Sequence, residues 1–300
     1  MHQHTIPVNA HTGFNRCCCL LFVTVLAAAT FIFPALLCPH ANAQNTLPPR
    51  SDTGTDVFLQ NEDLTFEVSW MGIALGSIRS VVTRKQGDGE TAIVTAVAYI
   101  KSYSGVPFVK VHEIDETTMD HAGISVLFRA REIADEKWKF TDYAFDQHNH
   151  RLIAKESIAD TETGSKPVMQ KADTLKIGPD CVDGLALLFF ARLHAHQGGQ
   201  TSVPTIVSGN QGITSFNFYR KETSAEIDAV DYPVDVIEFN GEAKFSGVLG
   251  MTGPFTGWFS NDTAQIPIKG KLKILLGSIT VELIKWNRPG WNPPRSRSAR

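Results

Sequence analysis

GWFSNDTAQIPIKGKLKILLGSITVEL, residues 257–283, decides the fold class. It sets Asn261, Asp262 and Thr263 between two runs in which apolar and polar side chains alternate, the spacing of strands with one face buried. Asn261 and Asp262 suit turn positions because their short side chains bond nearby backbone, so Asp262 reads as the corner of a hairpin. A catalytic acid at Asp262 requires a second carboxylate or a His beside it, which the sequence alone does not place. The span 266–286 is too long for one flat strand, and Gly270 and Gly277 offer the kink, bulge or turn that divides it in two.

The same grammar runs upstream. Leu64, Phe66 and Val68 share one strand face while Thr65, Glu67 and Ser69 share the other. Comparable runs occupy 78–85, 92–101, 109–119, 124–134, 137–145, 152–158 and 168–177, then 201–207, 213–221, 225–230, 234–239 and 255–259. Many antiparallel strands joined by short polar turns predict a mainly β chain, with a large sheet curled into a barrel or sandwich.

One segment breaks the rhythm. In DCVDGLALLFFARLHAHQGG, residues 180–199, Asp180 is a candidate N-cap, and Val182, Leu185, Phe189 and Leu193 recur at helical spacing. Arg192, His194 and His196 supply a cationic last turn, and Gly198 a stop. The segment predicts one amphipathic helix that plugs or covers the sheet.

The chain has 300 residues, and its first 43 stand apart. They carry Arg16 as their only Lys, Arg, Asp or Glu, then the apolar run 17–38, then Ala41-Asn42-Ala43. This is the pattern of a secretory signal peptide cleaved after Ala43 into the periplasm. The alternative is an uncleaved anchor in the inner membrane, since 17–38 is long enough to span a bilayer. Residues 44–61, with Pro48-Pro49 and Gly54, read as a flexible lead-in; 62–286 as a single β-rich domain; and 287–300 as a basic, Pro-rich, solvated tail.

Beyond residue 43 there are 27 basic and 31 acidic side chains, a charge of -4 that gives no reason to expect nucleic-acid binding. Cys181 is the only cysteine left there, so stability rests on core burial rather than an internal disulfide.

Each chemical suspect has a plainer reading. His148-Asn149-His150 lies between Asp146 and Arg151 and reads as an exposed turn rather than half a metal site. His194 and His196 diverge by about 200° on a regular helix and cannot chelate together. Cys181 reads as a small buried hydrophobe rather than a reactive thiolate. His112-Glu113 lacks the following His of a helical zincin, and no G-x-S-x-G, P-loop, dinucleotide-binding glycine series or C-x-x-C is present. No catalytic residue, metal or cofactor is assigned from these patterns.

Three blocks taken together, LTFEVSWMGIALGS (64–77), DGLALLFFARLHAHQGG (183–199) and the opening stretch, resemble the bacterial domain-of-unknown-function 3108 family in order and spacing. The resemblance spans nearly all of the chain after the leader, excluding the Arg-rich tail. It implies export to the envelope and brings no established activity and no catalytic residues.

The leading functional expectation is a periplasmic binding or carrier module for an apolar or lipid-like ligand, because a curled sheet can enclose a cavity and Leu187, Leu188 and Phe190 broaden the apolar arc of the helix. The bland alternative for those three residues is a solid core. A second expectation is an envelope assembly protein that meets a protein partner through a strand edge or the basic tail. A third is an enzyme acting on envelope glycan or lipid through carboxylates such as Asp115, Glu116 and Asp142, although acidic residues on strands are more often a solvated face.

Overall fold

A computed structural model describes residues 57–106, 110–134, 136–245, 253–274 and 277–297. The leader and most of the lead-in therefore lie outside the described residues. Among these residues fifteen strands and one α-helix follow one another, with a short 3-10 turn at Gly89–Thr91. The first eight are β1 (Asp63–Trp70), β2 (Ile73–Gln86), β3 (Ile93–Ser102), β4 (His112–Asp120), β5 (Ser125–Ala134), β6 (Lys137–Asp146), β7 (Arg151–Ala159) and β8 (Val168–Lys176). After β9 (Val182–Asp183) and α1 (Gly184–His194) come β10 (Gly199–Val207), β11 (Asn210–Ala225), β12 (Val234–Phe245), β13 (Gly253–Ser260), β14 (Pro267–Lys273) and β15 (Ser278–Asn287).

All fifteen strands belong to one sheet, ordered β8 to β1, then β15 down to β9. Every neighbour pair is antiparallel except β9 with β10. Two meanders thus meet at a seam where β1 pairs with β15, from Asp63 opposite Asn287 to Trp70 opposite Ile279. The sheet curls but does not close, with β8 and β9 as its edges. It is a curled single sheet rather than a sandwich.

The helix lies across one end of the curl. Asp183, not Asp180, is its N-cap: Oδ1 accepts from the backbone N–H groups of Leu185 and Ala186 at 2.9 Å each. Asp180 instead takes a left-handed turn conformation at φ 55 just upstream. The Asp183 Oδ2 atom accepts from Thr117 Oγ1 at 2.6 Å and Ser125 Oγ at 2.7 Å, which fastens the helix start to β4 and β5. Leu185, Phe189, Phe190 and Leu193 are buried, each worth about 1.5 to 3 kcal/mol in apolar transfer. Gly123, in the β4–β5 turn at φ +77, sits so near the Phe190 backbone that a Cβ would lie 3.1 Å from its nitrogen.

Opposite the helix, two glycines are covered by rings from the next strand. Phe239 faces Gly257 and Phe255 faces Gly241 in register, and a Cβ at either glycine would fall within 2.4 Å of the opposing ring. The exchange lets Phe216, Phe218, Phe239, Phe255 and Phe259 form one aromatic cluster, with Phe239 stacked on Phe259 at 4.7 Å.

Three sequence expectations change. Residues 225–230 are not a separate strand: β11 runs unbroken to Ala225, and the chain then turns, with Val230 donating to the Ile227 carbonyl at 3.4 Å. The apolar alternation there reflects Ala225, the last residue of β11, and Ile227, in the turn that follows, both entering the core. Arg192 is not a solvated cation at the helix end but is buried at 1% exposure.

The tail, finally, is packed as far as Ser296 rather than free. The backbone N–H of Asp235 donates to Pro294 at 2.7 Å, that of Ser296 donates to Pro233 at 2.8 Å, and Tyr232 Oη donates to Pro293 at 2.9 Å. Arg295 lies over the Tyr232 ring at 4.3 Å. Counting its arginines as unopposed missed Glu62, which reaches Arg288 from the other end of the chain.

Candidate functional site

The end of the curl remote from the helix has a different lining. Cross-strand partners share a face, so the register identifies the concave rows. One row runs Ile100, Glu113, Glu132, Lys139, Ile158 across β3 to β7. The next runs Ala98, Asp115, Ala130, Thr141, Glu156, and the third contains Thr117, which holds the helix cap. Charged side chains therefore occupy the concave face of the first meander just above the helix start.

The second meander and the seam complete the wall with apolar residues. Val68 faces Val281, which faces Gly270; Trp70 faces Ile279, which faces Leu272. Val68, Trp70, Leu272, Ile279 and Val281 are only half-buried, unlike the fully enclosed residues around the helix. At Gly270 an added Cβ would meet no atom of the described residues within 4 Å. Here no described residue fills the concave surface, whereas at Gly257, the neighbour of Gly270 on β13, Phe239 fills it.

The electrostatics of the polar wall follow from its crowding. Lys139 lies 3.5 Å from Glu132 and 3.7 Å from Glu156, and so is shared between two carboxylates. Glu113 and Asp115, two apart on β4, face one another without an ion pair among the described residues. Burial and the Glu132 charge push the Glu113 carboxyl up to about 7. Burial, with the nearby charges of Glu113 and Asp183, pushes Asp115 well above the usual carboxylate range. Asp115 Oδ1 is shut from solvent, and the bond open to this carboxyl is a proton shared with Glu113. Asp183 is also raised by burial, an effect opposed by its bonds to Thr117, Ala186, Ser125 and Leu185.

The carboxylates weighed from sequence separate by face. Asp115 points inward; Glu116 and Asp142 lie on the other face, where Arg129 Nε donates to Asp142 at 2.8 Å and its Nη1 is 3.8 Å from Glu116. Those two are a surface ion-pair set. Glu113, weighed in the sequence only as part of a zincin motif, and Glu132 and Glu156, not weighed there, are the other acids of these rows, and the period of two along β4, β5 and β7 was the signal that could have found them.

The remaining candidates take plain positions. Phe190 is buried and stacks on the His194 ring at 4.2 Å, while Leu187 and Leu188 are partly buried against the same core. Asp262 is a corner: Oδ1 accepts from Ser260 Oγ at 2.7 Å and the N–H groups of Ala264 and Gln265, and Oδ2 from Trp291 Nε1 at 2.8 Å. His148 to His150 form an exposed turn tied by Asn149 to Asp146. Cys181 is buried, and burial pushes its thiol up to about 12, which removes the thiolate. No group of three or more His, Cys, Asp and Glu among the described residues is arranged to hold a metal ion. No helix among them is long and apolar enough to cross a membrane.

A sequence profile of the family described as a protein of unknown function, DUF3108, matches residues 65–284. No curated protein matches the chain. Among solved structures, a β-barrel-like protein of the unknown-function domain DUF1849 from Brucella abortus is similar at 12% identity and a TM-score of 0.48, covering 77% of this chain and 98% of that one. A proposed lipoprotein from Parabacteroides distasonis aligns at 9% identity and a TM-score of 0.36, over 77% of this chain and 96% of its own. A proposed exported protein with a YmcC-like fold from Bacteroides fragilis aligns at 8% and 0.34, over 77% and 97%.

Proposed function

This chain belongs to the DUF3108 family of proteins of unknown function, and we propose that it is an exported binding module whose curled sheet holds an apolar or lipid-like ligand at the end away from the helix. The observation that carries this reading is the open space beside Gly270, bordered by the half-buried side chains of Val68, Trp70, Leu272, Ile279 and Val281. An apolar surface that the fold itself leaves uncovered gains about 25 cal/mol per Å² when a ligand covers it. The helix serves as the floor: Phe190 fills the core beneath, and Leu187 and Leu188 broaden that floor. The apolar run 17–38 followed by Ala41-Asn42-Ala43 supports export.

A neutral apolar dye, N-phenyl-1-naphthylamine, tests the chamber. It should brighten on binding the parent protein. Gly270→Leu, which places a side chain in the open space, should abolish that signal while leaving the thermal midpoint within a few degrees. Equal brightening with Gly270→Leu, or none with the parent, would refute the chamber.

A further inference from the structure

We propose, resting on the chamber reading above, that the ligand is an amphiphile with a cationic amine head, seated against Glu113 and Asp115. The concave face presents Glu113, Asp115, Glu132 and Glu156, with Asp183 just below, against Lys139 as the one cation in these rows. Lys139 is already divided between Glu132 and Glu156. Glu113 and Asp115 are left facing each other within reach of one shared proton, and no other side-chain or backbone donor of the described residues reaches the enclosed Asp115 Oδ1.

Two crowded, buried acids can share one proton, but ionising both is costly unless a cation is brought to them. An anionic head would add to that repulsion, and a hydroxyl would supply one neutral donor. An ammonium supplies up to three N–H donors and the missing charge together. The residues flanking Asp115 in its row, Ala98 on β3 and Ala130 on β5, are small and uncharged, so neither supplies a competing cation. The apolar wall at Val68, Val281 and Gly270 then takes the hydrocarbon body.

The protonation balance is explicit. In the empty protein near neutral pH the Glu113–Asp115 pair retains a proton, because both carboxyls are raised by burial and by the neighbouring Glu132 and Asp183 charges. When the ammonium arrives, the carboxylic O–H bond breaks and its proton passes to buffer. The ligand keeps its own proton. Lys139 opposes the same binding by its positive charge, and Glu132 and Glu156, which it bridges, offset it.

Titration calorimetry with the purified protein and three probes of one chain length, dodecylamine, dodecanol and dodecanoate, tests the inference. Dodecylamine, protonated throughout, should bind about tenfold more tightly than dodecanol near pH 8, the effect of a charge-assisted hydrogen bond. That advantage should shrink toward pH 5, and proton release should appear as a dependence of the binding heat on buffer ionisation. Asp115→Asn should remove most of the tenfold advantage, weakening dodecylamine far more than dodecanol. If that variant does not fold, Glu113→Gln serves the same purpose. Dodecanol or dodecanoate binding as tightly as dodecylamine would overturn the head-group assignment while leaving the chamber standing. Failure of all three probes would remove the chamber, and this inference with it.

Discussion

Replacing Glu62 by Gln should unfold this protein at markedly lower urea. The Glu62 carboxylate is buried and accepts from Arg192 Nη1 at 2.7 Å, Arg192 Nη2 at 3.1 Å and Arg288 Nη1 at 2.5 Å. Arg192 also donates to the carbonyls of Gln265 at 3.1 Å and Ala264 at 3.0 Å. One carboxylate thus joins the entry to β1, the end of the helix, the β13–β14 corner and the tail. Gln keeps the shape, offers one acceptor in place of two, and turns an N–H toward a guanidinium. Two buried cations then lose the carboxylate charge between them, a loss of about 3 to 5 kcal/mol. The carbonyl bonds retained by Arg192 favour the lower end. With a urea slope of about 3 kcal/mol per M, the midpoint should fall by about 1 to 1.5 M. Far-UV circular dichroism against urea measures it. A fall of less than about 0.3 M would show that the cluster is not a net fastener, in conflict with its burial.

Four further outcomes follow from the same geometry. Gly257→Ala, whose Cβ would lie 2.3 Å from the Phe239 ring, should lose about 1 to 3 kcal/mol, while Gly270→Ala should lose none; a urea series on the two compares them directly. Because the Glu113 carboxyl is raised to about 7, the folded state binds its proton more tightly than the unfolded chain does. Its stabilisation is full below about pH 4 and is lost as pH rises through 7, so Glu113→Gln should flatten the fall in stability between pH 5 and 8. Cys181 should react with a thiol reagent only after denaturant is added; rapid labelling of the native protein would contradict its burial. Truncation after Asn287, which removes Arg288 and Trp291, should lower the thermal midpoint by several degrees, whereas a solvated tail would leave it unmoved.

Alternation carried most of the fold. Leu64, Phe66 and Val68 read as one face of a strand and are one, and the division of 266–286 falls where Gly277 turns at φ 87. What alternation could not show is which distant groups meet. Arg192 followed a helical stripe and looked like a cation placed for the helix dipole, yet its partner is 130 positions away, with no periodicity linking the two. Residues 225–230 show the converse: apolar side chains at alternate positions satisfy burial in a loop as well as in a strand. The candidate site was half legible. Asp115 was among the acids weighed, but its difference from Glu116 and Asp142 lies in register, which decides whether a carboxylate meets Arg129 on the outer face or Glu113 on the inner one. Open space beside Gly270 leaves no mark in sequence, because it is made by what the neighbouring strands do not bring.

The seam also orders the folding of the chain. Within each meander a strand pairs with one that precedes or follows it closely, so those hairpins can close as soon as the chain is available. Asp63 must wait for Asn287, 224 positions later, and the entropy of closing so long a loop is recovered only when β15 zips along β1. Until then β1 presents a bare strand edge carrying Phe66 and Val68, a template for pairing with another chain. A nascent or truncated polypeptide lacking residues 278–287 remains in that condition, and its danger is aggregation.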